Sequence, residues 1–164
     1  MIAYKLLRPG RIAPFGGAVW PPPGEWLEVE RVEPCRSGLH ACRAEDLPYW
    51  LGLGELWEVE LEEVGFENHK LAARLGRLVR PVERWNEVTQ RGFVASCVER
   101  LRPLAGNEPR FEAFLEDVES SSPQGAAFIA ARAAELHGGP AAYEAERRAQ
   151  AAWLIETLKL VTRG

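Results

Sequence analysis

Lysine is scarce in this chain: 3 residues against 17 arginines, and only 3 cysteines. Three is an odd number, which argues against a disulfide framework and points to a reducing cytoplasm as the expected home. There is also no run of about 18 apolar residues, so no segment reads as a bilayer span. The opening Met1-Ile2-Ala3-Tyr4-Lys5 lacks the charged-then-apolar pattern of a secretory signal. Acidic and basic residues are spread evenly, 14 against 11 over residues 1–88 and 10 against 9 over the remainder. With no Lys/Arg run to track a phosphate backbone, neither nucleic acid nor membrane is an expected partner. The arginine excess, alongside much Ala, Gly and Pro, reads as coding bias rather than chemistry.

What is present is a core. The chain has 164 residues, 46% of them hydrophobic and 27% charged, which is the size and composition of one globular domain. Six tryptophans (Trp20, Trp26, Trp50, Trp57, Trp85 and Trp153) add large buried area. The character of the sequence changes near residue 84. Residues 1–83 carry short alternating runs and turn residues, and 84–164 carry helical periodicity. The expected fold is α+β in a single domain over 1–164: a mainly antiparallel sheet of five or six strands with one short helix, packed against a C-terminal layer of about four helices.

Glu55 to Glu62 is the clearest strand, with Trp57, Val59 and Leu61 alternating against Glu58, Glu60 and Glu62. A turn through 64–68 leads to a second strand over 69–75. Pairing of the two sets the glutamate row against Lys70 and Arg74. Arg77 to Val82 reads as a further strand, and Tyr4–Leu7, Ala18–Trp20 and Trp26–Val29 as weaker ones. A short helix is expected over Ala44–Leu51. Four longer ones follow: about Arg84 to Leu101, ending before Pro103; one capped by Asn107; one opening at Ser122-Pro123 and ending at Gly138; and one from Pro140 to about Leu160. On that last helix Glu146, Arg147 and Gln150 interrupt an apolar stripe, and the favoured reading has them at the interface edge.

The densest cluster of chemistry-bearing residues is Pro34-Cys35-Arg36-Ser37-Gly38-Leu39-His40-Ala41-Cys42. With 39–42 as a strand, His40 and Cys42 project to one side. An imidazole beside a thiol is the minimum for an activated nucleophile. Cys35, His40 and Cys42, completed by His69 or Cys97, could instead ligate zinc, although no C-x-x-C pair exists. The plainest alternative is a buried strand with a hydrogen-bonded histidine. No metal or cofactor is assigned. Tyr49, Trp50 and Trp20 could wall a pocket around His40.

Gly38-Leu39-His40-Ala41-Cys42, followed by Leu47, Tyr49, Trp50, Leu56-Trp57-Glu58-Val59-Glu60 and Lys70-Leu71-Ala72-Ala73, resembles a phage and bacterial domain family of unknown function with a G-[FLI]-H-A-C … V-E pattern. The resemblance covers roughly residues 34–82 and implies a fold neighbourhood without an activity. Tyr4-Lys5-Leu6-Leu7 and Pro48-Tyr49-Trp50-Leu51 look like a narrower actinobacterial-type group. Glu146-Arg147, Gln150 and Trp153-Leu154 are similar to the closing helix of immunity-type helical proteins. A fainter likeness is to mono-ADP-ribosyltransferases: Tyr4-Lys5 as the aromatic–basic pair, Tyr49 as the stacking ring and Glu58-Val59-Glu60 as the E-x-E strand. That likeness implies NAD bound by His40 and Lys5, with Glu60 on the ribose. It lacks a Ser-Thr-Ser run, and its glutamates follow the middle motif too soon.

The leading expectation is a non-catalytic binding or accessory domain. It would recognise a partner protein or small ligand through His40, Cys42, Tyr49, Trp50, Trp20 and Glu60, with the NAD-dependent transferase as the alternative.

Overall fold

In the computed structural model, residues 1–32, 37–106 and 109–162 are described. The fold is α+β: an antiparallel sheet in the first half and helices in the second. It divides into two compact units, Met1–Trp85 joined by Val161, and Asn86–Leu160.

The sheet has five strands: β1 (Ile2–Leu7), β2 (Leu27–Glu28), β3 (Leu39–Ala41), β4 (Glu55–Glu67) and β5 (Lys70–Pro81). β4 and β5 form one long hairpin, longer than the sequence pattern suggests. Residues 64–67 of the expected turn are in fact strand. The reversal takes only Asn68 and His69, both with positive φ (47° and 64°), the backbone a two-residue hairpin turn demands. The 69–75 and 77–82 runs are likewise one strand. Register therefore sets Glu58 against Arg80 and Glu60 against Arg77, rather than against Lys70 and Arg74. Ion pairs follow that register, Arg77–Glu60 at 2.6 Å and Arg80–Glu58 at 3.0 Å.

β1 pairs with β4, β4 with β5, and β5 with both β2 and β3. One further bridge returns the ladder to β1. Tyr4 and Cys42 exchange both backbone hydrogen bonds, at 2.8 and 2.9 Å. The circuit β1–β4–β5–β3 thus closes on itself as a small barrel, which removes most of its exposed edges. Ala3 and Leu7 of β1, Leu39 and Ala41 of β3, Trp57, Val59 and Leu61 of β4, and Leu71, Ala73 and Leu78 of β5 fill the interior. Alternation fixes this inward set, odd-numbered on β1, β3 and β4. Ala18–Trp20 is not a strand. It makes one isolated bridge, Ile12–Val19, and sends Trp20 into the core with 1% of its surface exposed. Gly76 makes room for the indole: a Cβ there would lie 3.1 Å from Trp20.

The connection from β3 to β4 is a 3₁₀ turn, Ala44–Asp46, continued by α1 (Leu47–Trp50). It re-enters the sheet at Gly54, whose φ is +128° and whose absent Cβ would meet the Leu7 carbonyl oxygen at 2.1 Å. Only glycine fits there.

The helical unit contains α2 (Glu87–Ala105), α3 (Arg110–Ser120) and α4 (Pro123–Leu158). A capping box starts α2: the Asn86 side chain accepts from the Val88 and Thr89 amides, and Thr89 Oγ1 accepts from the Asn86 amide at 3.0 Å. That box sets the start later than Arg84. The helix then runs through Pro103, because Leu101 and Ala105 on either side are buried and hold the last turn. The expected cap at Asn107 lies outside the described residues, and α3 begins at Arg110. Ser122 caps α4 by accepting from the Gly125 amide at 3.2 Å. Gly139, with φ 74° and ψ −169°, breaks α4 just before Pro140, at the boundary the sequence pattern suggests.

Glu146, Arg147 and Gln150 do not sit at an edge. Gln150 is fully buried and Arg147 is 6% exposed. Gln150 Nε2 donates to the Ala127 carbonyl at 3.0 Å and to Glu146 at 2.9 Å, while Arg100 of α2 forks onto Glu146. The polar groups are satisfied by each other across α2 and both halves of α4, so burial is tolerated.

Candidate functional site

Beyond the Tyr4–Cys42 pair, the next hydrogen-bonded pair of an antiparallel β1–β3 ladder would be Leu6 with His40. The strands part before reaching it. The His40 carbonyl is met instead by the Lys5 ammonium, Nζ donating at 2.5 Å. Lys5 lies on the inward phase of β1 with Ala3 and Leu7, opposite Trp57 of β4, and its Nζ stands 5.5 Å from the Trp20 ring centroid. A lysine thus spans the seam where the barrel fails to zip shut.

A cleft of about 530 Å³ opens at this seam. Its lining includes the cationic and polar Lys5, Lys70, His40 and Ser37 and the apolar Phe15, Leu47 and Trp50. Among the described residues that line it, none is a carboxylate. Phe15, one of the lining residues, is 85% exposed. Trp50 is pinned by its indole, Nε1 donating to the His69 carbonyl at 2.6 Å, and Lys70 Nζ lies 5.5 Å from its ring centroid.

The titratable groups respond to this setting. Burial, with a smaller push from Lys70, lowers the Lys5 pKa to about 8. Burial and then the two lysines lower that of His40 to about 4, so the imidazole is neutral at physiological pH. Its buried Nε2 has no hydrogen-bond partner among the described residues. A hydrogen bond left unmade at a buried atom is costly, and such an atom is a natural place for a ligand to bond. Cys42 behaves differently. Complete burial, reinforced by Asp46, pushes its thiol well above the ordinary range, and Sγ donates to the Tyr4 carbonyl at 3.5 Å. The other cysteine described, Cys97, is raised to about 12 by burial.

His40 and Cys42 do share one side of their strand, opposite Leu39 and Ala41, which are in the core. They do not make an activated nucleophile: the Cys42 thiol is turned to the Tyr4 carbonyl and kept protonated by burial, and the lowered pKa of His40 makes it a weak base. As for zinc, no group of three His, Cys, Asp or Glu that could hold a metal exists among the described residues, and Cys35 lies outside them.

Of the other expected site residues, Trp50 lines the cleft and three do not. Tyr49 turns to His69 and stacks on it, ring centroids 4.0 Å apart. Trp20 is core beneath Lys5. Glu60 lies on the face of β4 opposite Val59 and Leu61, bonded to Arg77, and so away from the inward-facing Lys5. A single NAD site joining Lys5, His40 and Glu60 is therefore not assembled.

Sequence reasoning misses the inward phase of Lys5 and the parts played by Lys70 and Phe15. For Lys5 no local signal gives the phase, because Ile2, Tyr4 and Leu6 are as apolar as Ala3 and Leu7. Also missed is Asp46, which is 2% exposed and accepts from Arg43 Nε at 2.6 Å, with His69 Nδ1 at 2.7 Å from its other oxygen. That carboxylate ties the turn at 43–46 to the hairpin turn and so braces the wall carrying Trp50.

A second concavity, about 360 Å³, lies in the helical unit between α2 and the α3–α4 connection. Its charges are largely paired along α2, Arg91 with Glu87 and Arg102 with Glu99. No helix among the described residues is long and apolar enough to cross a membrane. No protein-family model, curated protein or solved structure matches the chain.

Proposed function

We propose that this protein is a binding module for a small amphipathic anion, taken up in the β1–β3 cleft. One observation carries the reading: a chain of net charge −4 gathers two of its three lysines at a cleft whose described lining has no carboxylate. The anionic group lies between Lys70 and Lys5, and accepts or donates at His40 Nε2 as its own chemistry allows. An apolar, preferably planar, body lies against Trp50, Leu47 and Phe15. A mostly apolar cleft with a few convergent polar groups is the usual form of a small-molecule site. The transferase reading has no comparable support, since its glutamate is engaged elsewhere.

The test is a titration with 2-naphthoate, followed by tryptophan fluorescence, against the uncharged 2-naphthamide. Saturable quenching by the acid is expected, several-fold tighter than by the amide. Lys70→Glu should weaken it about tenfold, a cost of about 1.4 kcal/mol. Equal binding of acid and amide, or no saturation at millimolar ligand, would retire the proposal.

A further inference from the structure

We infer that Lys5 captures the carbonyl carbon of an aldehyde seated in this cleft as a reversible imine, so that the ligand class is an anionic aryl or alkyl aldehyde. The inference rests on the cleft's being a ligand site, and it makes Lys5 a covalent anchor rather than only a charge.

The geometry is specific to Lys5. Of the three lysines, Lys5 alone faces inward from a strand of the barrel, and its nitrogen is already oriented by donating to the His40 carbonyl at 2.5 Å. It borders the cleft directly. Lysine becomes a nucleophile when its ammonium is desolvated or placed near another cation, and both conditions hold here: Lys5 is half-buried and partly desolvated, and Lys70 borders the same cleft. With the pKa near 8, about half of Lys5 is free amine at pH 8. His40, neutral at that pH, adds no competing positive charge.

The reaction balances without a further reagent. The amine lone pair attacks the carbonyl carbon to give a carbinolamine. The former carbonyl oxygen then leaves as water with two hydrogens drawn from the nitrogen, and a C=N bond remains. Nothing is oxidised or reduced. On protonation the imine nitrogen carries one N–H, which can keep the hydrogen bond to the His40 carbonyl. The anionic group of the aldehyde is left to Lys70, and its body to Trp50 and Phe15.

The experiment treats the full chain with 4-carboxybenzaldehyde and sodium cyanoborohydride, which reduces an imine to a stable secondary amine, and maps the adduct by peptide mass spectrometry. The expected result is one adduct, on Lys5, formed at least about tenfold faster than on Lys70, Lys159 or the terminal amine. 2-Naphthoate should protect against it, Lys5→Arg should abolish it, and its rate should level off above about pH 8. Adducts spread evenly over the amines, no adduct, or an adduct on Lys5 that 2-naphthoate does not slow would each overturn the inference. If 2-naphthoate still binds the unmodified protein while no adduct forms, only the imine fails. If neither is seen, the cleft reading fails with it. Mapping and protection are both read on the natural chain, so the result stands whether or not the arginine variant folds.

Discussion

Lys5 illustrates how a single side chain is set by its strand. On the inward phase of β1 it costs desolvation, and the barrel offsets part of that with the His40 carbonyl and the Trp20 ring. The linkage has a definite sign. A lysine with pKa about 8 when folded and 10.5 when unfolded binds fewer protons in the folded state between those values. Its penalty is therefore complete below pH 8 and is relieved as pH rises toward 10.5. Lys5→Met should accordingly be more stable than the natural chain at pH 7, by up to about 3 kcal/mol, with the advantage shrinking at pH 10. Urea denaturation of both proteins at the two pH values measures this. A difference that is constant with pH would mean that Lys5 is not desolvated. The lysine is visible in the sequence, but its inward phase is not. Four of the six residues of Ile2-Ala3-Tyr4-Lys5-Leu6-Leu7 are aliphatic and a fifth is aromatic, so either phase looks apolar, and only the pairing with Trp57 decides.

At the level of elements, legibility follows the strength of local signals. The alternation in Glu55–Glu62, the Ser122-Pro123 start and the Gly138–Pro140 break each rest on chemistry within a few residues, and each is present in the fold. The hairpin turn is harder to place because Asn68-His69 lacks the glycine that usually marks positive φ, while Val64–Glu67 carries a glycine that resembles a turn. The polar stripe of α4 is misleading because its partners, Arg100 and the Ala127 carbonyl, are remote in sequence. Closure of the barrel is likewise beyond local reasoning, since it depends on one bridge between Tyr4 and Cys42. Gly54 is where that architecture is least forgiving. Gly54→Ala combines a φ of +128° with a methyl 2.1 Å from the Leu7 oxygen, and should lower stability by about 3 kcal/mol or more. Thermal unfolding by circular dichroism checks this, and an unchanged midpoint would mean that the β4 entry relaxes freely.

Over the whole molecule, charge and shape part company with composition. A slightly acidic chain gives no hint in its totals that two lysines and an imidazole nitrogen without a partner among the described residues meet at one cleft. His40, Cys42 and Trp50 are recognisable from the strand phase and a neighbouring short helix. Lys70 comes from the far end of the hairpin and Phe15 from the loop after β1, and only the closed barrel brings them near. In place of a thiol and an imidazole poised for chemistry, the fold shows a buried, protonated cysteine beside a cleft lined by two lysines.

The most direct check is an amide and indole NMR titration of the natural chain with 2-naphthoate. Saturable shifts are predicted at Gly38, His40 and Ala41, at Phe15 and Gly16, and at the Trp50 indole, with the amides of α3 and α4 unmoved. Shifts confined to the helical unit, or none at millimolar ligand, would contradict a binding cleft between β1 and β3.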